Sequence, residues 1–342
     1  MPVLLKRGPC GTSSADCIDI GLVNNMPDAA LESTERQFVA LLGAATGKFT
    51  VRLSLYSLPD LPRSETSRRY LDSSYCDVVE LWSSKLDGLI VTGTEPRAPM
   101  LRDEPYWVTL ARIADWADDN AVSVVWSCLA AHAAVLHLDG LERHLLADKR
   151  FGLFECAKAA DHPLTSGVQA GLQIPHSRWN ELREDELRSC NYTVLTRSAE
   201  AGVDTFIKQR KALSLFFQGH PEYDERALLR EYRRDIGRFL KWQRETYPGM
   251  PHGYFEENAA TELAAFRERA LADRREALLD DFPSAVVEGA LRPLRGAPAV
   301  QIYRNWLSHL VSQRAGRSGG RAPVGAPRFR RAAPSLSSAG AG

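Results

Sequence analysis

The chain has 342 residues, with 43 Lys and Arg against 43 Asp and Glu, so its formal net charge is zero. With 44% hydrophobic and 25% charged residues its composition is that of a globular protein, long enough to bury a core without disulfides or metals. No apolar stretch approaches the ~20 residues of a membrane span, and a balanced charge excludes a whole-surface nucleic-acid binder, so the expectation is a cytoplasmic protein without nucleic-acid or membrane partners.

Residues 1–16 read as a flexible leader, in which Lys6 and Arg7 are followed by no apolar run fit for a signal peptide. Cys17 to Val23 alternates and predicts a strand, Asn24 to Asp28 a turn, and 30–45 a helix with Leu31, Phe38, Leu41 and Leu42 on one face. Val51, Leu53 and Leu55 mark a second strand. A loop at Pro59 and Pro62 and a polar segment then lead to Asp87. Leu89-Ile90-Val91, ending at Thr92-Gly93-Thr94, predicts a buried parallel strand. A helix over 106–117, a strand over 122–126 and an Ala-rich helix over 129–138 come next.

This alternation predicts an α/β fold, a doubly wound, mostly parallel sheet with helices on both faces. Short strands and turns are expected over 151–218, the clearest being 213–217. Helices are expected over 225–245, 261–279 and 300–312. Residues 314–342 hold six Arg, no Asp or Glu, and much Gly, Ala, Pro and Ser; they read as a disordered basic tail. Residues 17–313 remain as a single domain. Without the tail, residues 1–313 carry 37 basic and 43 acidic residues and are mildly acidic.

None of the six cysteines (Cys10, Cys17, Cys76, Cys128, Cys156, Cys190) forms a C-x-x-C pair, so free thiols and no metal are expected. Cys128 stands where a buried strand meets a helix. Such a turn exposes the thiol at the carboxyl end of the sheet and turns it toward the positive end of the helix dipole. A buried structural thiol fits the position alone equally well. His220-Pro221-Glu222 closes another strand end, and residues two apart in extended chain leave the same face. His220 is therefore a candidate base oriented by Glu222. Gly93 at a third strand end lets backbone N–H groups near Thr94 join that of Leu129 as an oxyanion hole.

The order Cys…His-x-Glu on such a sheet resembles the class I glutamine amidotransferase-like, flavodoxin-like architecture, here with additional C-terminal helices. The usual glycines beside the nucleophile are absent from Ser127-Cys128-Leu129-Ala130. Within that architecture the chain resembles the homoserine O-succinyltransferase/O-acetyltransferase family. The resemblance rests on Ile20-Gly-Leu-Val-Asn-Asn-Met-Pro27, Asp87-Gly-Leu-Ile-Val-Thr-Gly93, Tyr106-Trp107 and the Cys128 elbow. It continues through Lys149, Gly152, Glu155, Pro175-His-Ser-Arg178, Gly219-His-Pro-Glu-Tyr-Asp224, Arg234-Asp235 and Asn305-Trp306-Leu307.

The resemblance implies that Cys128 carries an acyl-thioester and that His220 and Glu222 complete a triad. It implies that Lys149, Ser177 and Arg234 bind substrate, and that the enzyme is a homodimer with no resident cofactor. Succinyl-CoA or acetyl-CoA would be the co-substrate and L-homoserine the acceptor, in methionine biosynthesis. At the position of Arg97 the family sets acyl-CoA specificity, a small residue going with succinyl and a Glu with acetyl. An Arg there would attract the free carboxylate of a succinyl group; the alternatives are that it points to solvent, or that it fills the pocket so that only acetyl fits. Acetyl transfer to homoserine or serine, and a glutamine amidotransferase-like hydrolase, are the alternatives.

Overall fold

The computed structural model describes residues 3–6, 17–169, 171–293 and 298–318. The first half of the chain builds five parallel strands. These are β1 (Val3–Lys6), β2 (Cys17–Val23), β3 (Thr50–Tyr56), β4 (Gly88–Val91) and β5 (Ser123–Ser127). Between them lie α1 (Asp28–Ala45), α2 (Glu65–Ser74), α3 (Val78–Leu81) and α4 (Trp107–Asn120), and α5 (Leu129–Asp139) comes after β5. The second half adds β6 (His144–Lys158), β7 (Leu172–Glu181), α6 (Glu184–Ser189), β8 (Thr193–Ser198), β9 (Gly202–Gln209) and β10 (Leu213–Phe217). The chain closes with α7 (Ala227–Leu240), α8 (Glu257–Ala272), α9 (Ser284–Gly289) and α10 (Pro298–Ser318).

The strands form one sheet in the order β1-β3-β2-β4-β5-β10-β9-β8-β6-β7. Pairing is parallel from β1 to β10 and antiparallel beyond. The central strands β4, β5 and β10 are buried along their whole length, which is why they read as continuous apolar runs. α3, α4 and α5 cover one face, with Leu81, Ile113 and Ala131 in its core. α1 and α10 cover the other with Phe38, Tyr303 and Trp306. α5 is buried on nearly every side, and its run of alanines lets it lie close to the sheet. A third apolar cluster joins α7, α8 and α9 to Phe151 and Leu153 of β6.

The alternation of strand and helix over residues 17–140 is as expected, but several boundaries differ. The leader is not loose throughout: Val3–Lys6 pairs in parallel with Val51–Ser54 as an edge strand. Residues 7–16, with Cys10, lie outside the described residues. The polar segment before Asp87 holds α2 and α3, fixed by their N-caps. Ser64 accepts from Ser67 N–H, and Asp77 and Glu80 form a capping box. The basic tail begins later than residue 314, because α10 continues to Ser318 and Arg314 donates to the Cys17 carbonyl at 2.6 Å. The expected tail over 319–342 lies outside the described residues.

Candidate active site

Register brings the site together. β10 lies beside β5 with Phe217 opposite Ser127, so the residues after each strand emerge side by side. The Cys128 N–H donates to the Phe217 carbonyl at 2.8 Å. Cys128 has φ 54° and ψ −116°, a left-handed conformation outside the ordinary regions for an L-residue, and it is the N-cap of α5. This sharp turn lifts the thiol off the sheet at the start of a helix, where N–H groups are free.

His220 sits opposite. Its backbone N–H donates to the Pro175 carbonyl at 2.8 Å, and its Nδ1 is 2.9 Å from Glu222 Oε1. The ring stacks on Tyr223, centroids 4.2 Å apart. Burial disfavours the imidazolium, but the Cys128 sulfur and Glu222 carboxylate beside it outweigh that, so His220 is protonated well above the usual histidine range. Glu222 also accepts from Ser127 Oγ at 3.4 Å. The three side chains thus form the series thiol, imidazole and carboxylate, in which a proton can leave sulfur for nitrogen.

Gly93 ends β4 directly against the first turn of α5. A Cβ there would lie 2.9 Å from the Leu129 nitrogen, so only glycine permits the approach. Thr94 and Leu129 both line the cavity beside Cys128. The turn at Asn25 is tied to the same strand end, its N–H donating to Thr92 Oγ1 at 2.8 Å and its Nδ2 to the Thr92 carbonyl at 3.0 Å. Met26 and Pro27 thereby become part of the cavity rim.

The cavity measures about 630 Å³ and opens over Cys128 and His220. Its far wall is α7, which presents Glu231, Arg234, Asp235 and Arg238 on one face. Lys149 reaches this face from β6, 3.4 Å from Asp235 and 3.6 Å from Glu231. Ser177 Oγ donates to Glu231 at 2.5 Å, and the Tyr223 hydroxyl donates to the same carboxylate. Burial would raise the Glu231 carboxyl, yet Lys149, Arg234 and the two hydroxyls hold it below its ordinary range. Arg234 pairs with Asp235 at 2.9 Å, and Arg238 with Glu95 at 2.7 Å. Lys149, Ser177 and Arg234 are therefore gathered at one wall.

Arg97 is not gathered there. It is exposed and does not line the cavity, because the N–H groups of Arg97 and Ala98 donate to Glu104 Oε1 at 2.5 and 2.7 Å and set the loop facing outward. Glu95, two residues earlier, lines the cavity instead. Sequence reasoning also passed over Glu231, Arg143 and Arg178. The spacing of Glu231 from Asp235 was the available signal for the first. Arg178 stood in the Pro175-His-Ser-Arg178 segment without a role assigned to it, and Arg143 carried no signal.

A second cysteine–histidine–acid group, Cys156, His176 and Asp204, lies beneath the site and is fully buried. It is the group among the described residues whose ligand atoms stand close enough for a cation, within 4.8 Å of one another. Its chemistry opposes one. Burial pushes the Cys156 thiol far up, toward the neutral form, and Arg178 donates into His176 Nδ1 at 3.3 Å. Asp204 accepts instead from Thr196 at 3.0 Å and Thr205 at 2.7 Å, and its Oδ1 faces His176 Nε2 at 3.4 Å. A Cβ on Gly219 would lie 2.8 Å from Asp204 Oδ1, so this cluster forms the floor under the turn that carries His220.

The sequence model of one family, described as homoserine O-succinyltransferase, matches residues 6–317. A homoserine O-succinyltransferase of Rhodopseudomonas palustris is 47% identical over 90% of this chain and 92% of its own. That of Methylorubrum extorquens is 48% identical over 86% and 87%, and that of Thiothrix nivea 37% identical over 85% and 81%. Among solved structures, a glutamine amido transferase from Methylobacillus flagellatus aligns with a TM-score of 0.47 at 14% identity, covering 86% of this chain and 96% of that one. A glutamine amidotransferase from Thermotoga maritima aligns with a TM-score of 0.45 at 11% identity, covering 86% and 98%. Both alignments are too distant to bear on the chemistry. The near-complete match to the family and the identities of nearly one half carry the assignment: the chain belongs to the homoserine O-succinyltransferase family.

Proposed function

We propose that the protein transfers a succinyl group from succinyl-CoA to the hydroxyl of L-homoserine through a thioester on Cys128. The observation that carries the reading is the Cys128–His220–Glu222 series, its histidine and glutamate buried, opening onto a cavity whose far wall carries Lys149 and Arg234, in a chain of this family. Cys128 gives its proton to His220, and its sulfur attacks the thioester carbonyl carbon. The oxyanion is held by N–H groups near Thr94 and at Leu129. The tetrahedral adduct collapses, the bond to CoA sulfur breaks, and CoA leaves with the proton from His220. Thioester-for-thioester exchange is nearly isoenergetic, which suits a cysteine nucleophile.

Homoserine then enters with its carboxylate toward Arg234 and Lys149 and with Ser177 beside it. Arg offers a two-pronged donor for a carboxylate and Lys a point charge. Glu231 and Asp235 hold these cations in place. His220 takes the homoserine hydroxyl proton, the oxygen attacks the acyl carbon, and the C–S bond breaks. His220 returns the proton to Cys128, and O-succinyl-L-homoserine leaves. No resident metal or cofactor enters these steps.

The test is a matrix of acyl-CoA donors and amino-acid acceptors, following CoA release and the mass of the enzyme. Incubation with succinyl-CoA alone is expected to add one succinyl group to Cys128, lost in Cys128→Ala, and homoserine should discharge it. CoA release indifferent to every acceptor would overturn the reading. The same reading includes a cytoplasmic homodimer acting on small molecules, without nucleic acid or membrane. Family membership supports it, and light scattering of the purified chain checks the dimer.

A further inference from the structure

The cations of the cavity differ in what they already hold. Lys149, Arg234, Arg238 and Arg244 are all ion-paired to Glu231, Asp235 or Glu95. Arg178, 4% exposed, spends its guanidinium on the Asn180 and Ala201 carbonyls and on His176. Arg143 lines the same cavity yet makes no hydrogen bond or ion pair among the described residues. It lies half-buried, close enough to Cys128, Tyr106 and Glu104 for their charges to act on it.

Of its two acidic neighbours, Glu142 is exposed and Glu104 is occupied elsewhere. Glu104 Oε1 accepts from the N–H groups of Arg97 and Ala98, so the carboxylate is fixed on the loop and draws Arg143 to this wall without pairing with it. Glu104 Oε2 and the Tyr106 hydroxyl are buried without partners on the same side. The result is a partly desolvated guanidinium, with its donors free among the described residues, beside the nucleophile and away from the wall formed by α7. Cys128 and Arg143 line one cavity, so an acyl group on Cys128 shares that space with the guanidinium. A succinyl group brings there a planar carboxylate, and an acetyl group brings nothing.

We propose that Arg143, rather than Arg97, receives the free carboxylate of the succinyl group carried by Cys128 and so sets the preference for a dicarboxylic acyl donor. The inference rests on the succinyl-transfer reading above and names its specificity residue. A guanidinium–carboxylate contact of this kind gives a preference of about 10–100-fold.

The test compares the full-length wild type with Arg143→Gln, Arg143→Lys and Arg97→Gln. It reads the ratio of kcat/KM for succinyl-CoA to that for acetyl-CoA, with homoserine as acceptor. The ratio is expected to fall about 10–100-fold in Arg143→Gln. It should take an intermediate value in Arg143→Lys, which keeps the charge but loses the fork, and stay within about threefold of wild type in Arg97→Gln. Arg143→Lys carries the test by itself should the neutral variant not fold. An unchanged ratio in the Arg143 variants, or a fall in Arg97→Gln alone, would overturn the assignment while leaving succinyl transfer in place. A wild type that forms no succinyl-Cys128 would overturn the transfer reading, and this inference with it.

Discussion

His220 shows how one residue's surroundings set its chemistry. Burial alone would keep the ring neutral, and it is the sulfur on one side and the carboxylate on the other that reverse this. Replacing Glu222 by Gln removes one of the two charges that raise His220, so the imidazolium is lost at lower pH. The pH at which the His220 ring loses its proton, read by NMR, should therefore fall in Glu222→Gln, and kcat should fall about 10²-fold. A His220 titration that does not move would show that Glu222 only supports the fold. These three residues were legible in the sequence because each closes a predicted strand, and strand ends are where such sheets place their chemistry. Arg143 was not legible, since it comes after a helix and a turn and meets Cys128 only through the return of the chain. The exposure of Arg97 was not legible either, since family position fixes a backbone site and leaves the direction of the side chain open.

Among the elements, the junction of β4 with α5 is the most constrained. The Leu129 nitrogen would stand 2.9 Å from a Cβ on Gly93, and backbone cannot move aside as a side chain can. Gly93→Ala should displace the strand end from the first N–H of α5 and lower kcat by roughly 10²–10³-fold. The acyl-CoA KM should change far less, as steady-state kinetics would reveal. The parallel half of the sheet was readable because its strands are buried on both faces and appear as unbroken apolar runs. The antiparallel half was less so. β6 mixes exposed and buried positions over 15 residues and has a register shift between Leu145 and Arg150, so neither strict alternation nor a continuous run marks it. α2 has no buried residue and α3 spans one turn, so their caps were the only signal.

The molecule as a whole is closed by its last helix. Trp306 of α10 is fully buried against the sheet. Its Nε1 donates to Ser123 Oγ at 2.9 Å, and a Cβ on Gly88 would lie 2.8 Å from its ring. Trp306→Ala should cost about 3–5 kcal/mol of stability, measured by denaturant unfolding, because it leaves a large cavity at the centre of that face and removes the indole donor to Ser123 Oγ. Ile18, Ile20 and Leu53, near the start of the chain, share a core with Ile302, Trp306 and Leu310 near its end. On the ribosome, therefore, the part of this face that α1 does not cover stays bare until α10 has been made. Growing chains carry that apolar surface uncovered until then. A premature stop anywhere before α10 would yield a product fit mainly for chaperones and proteases.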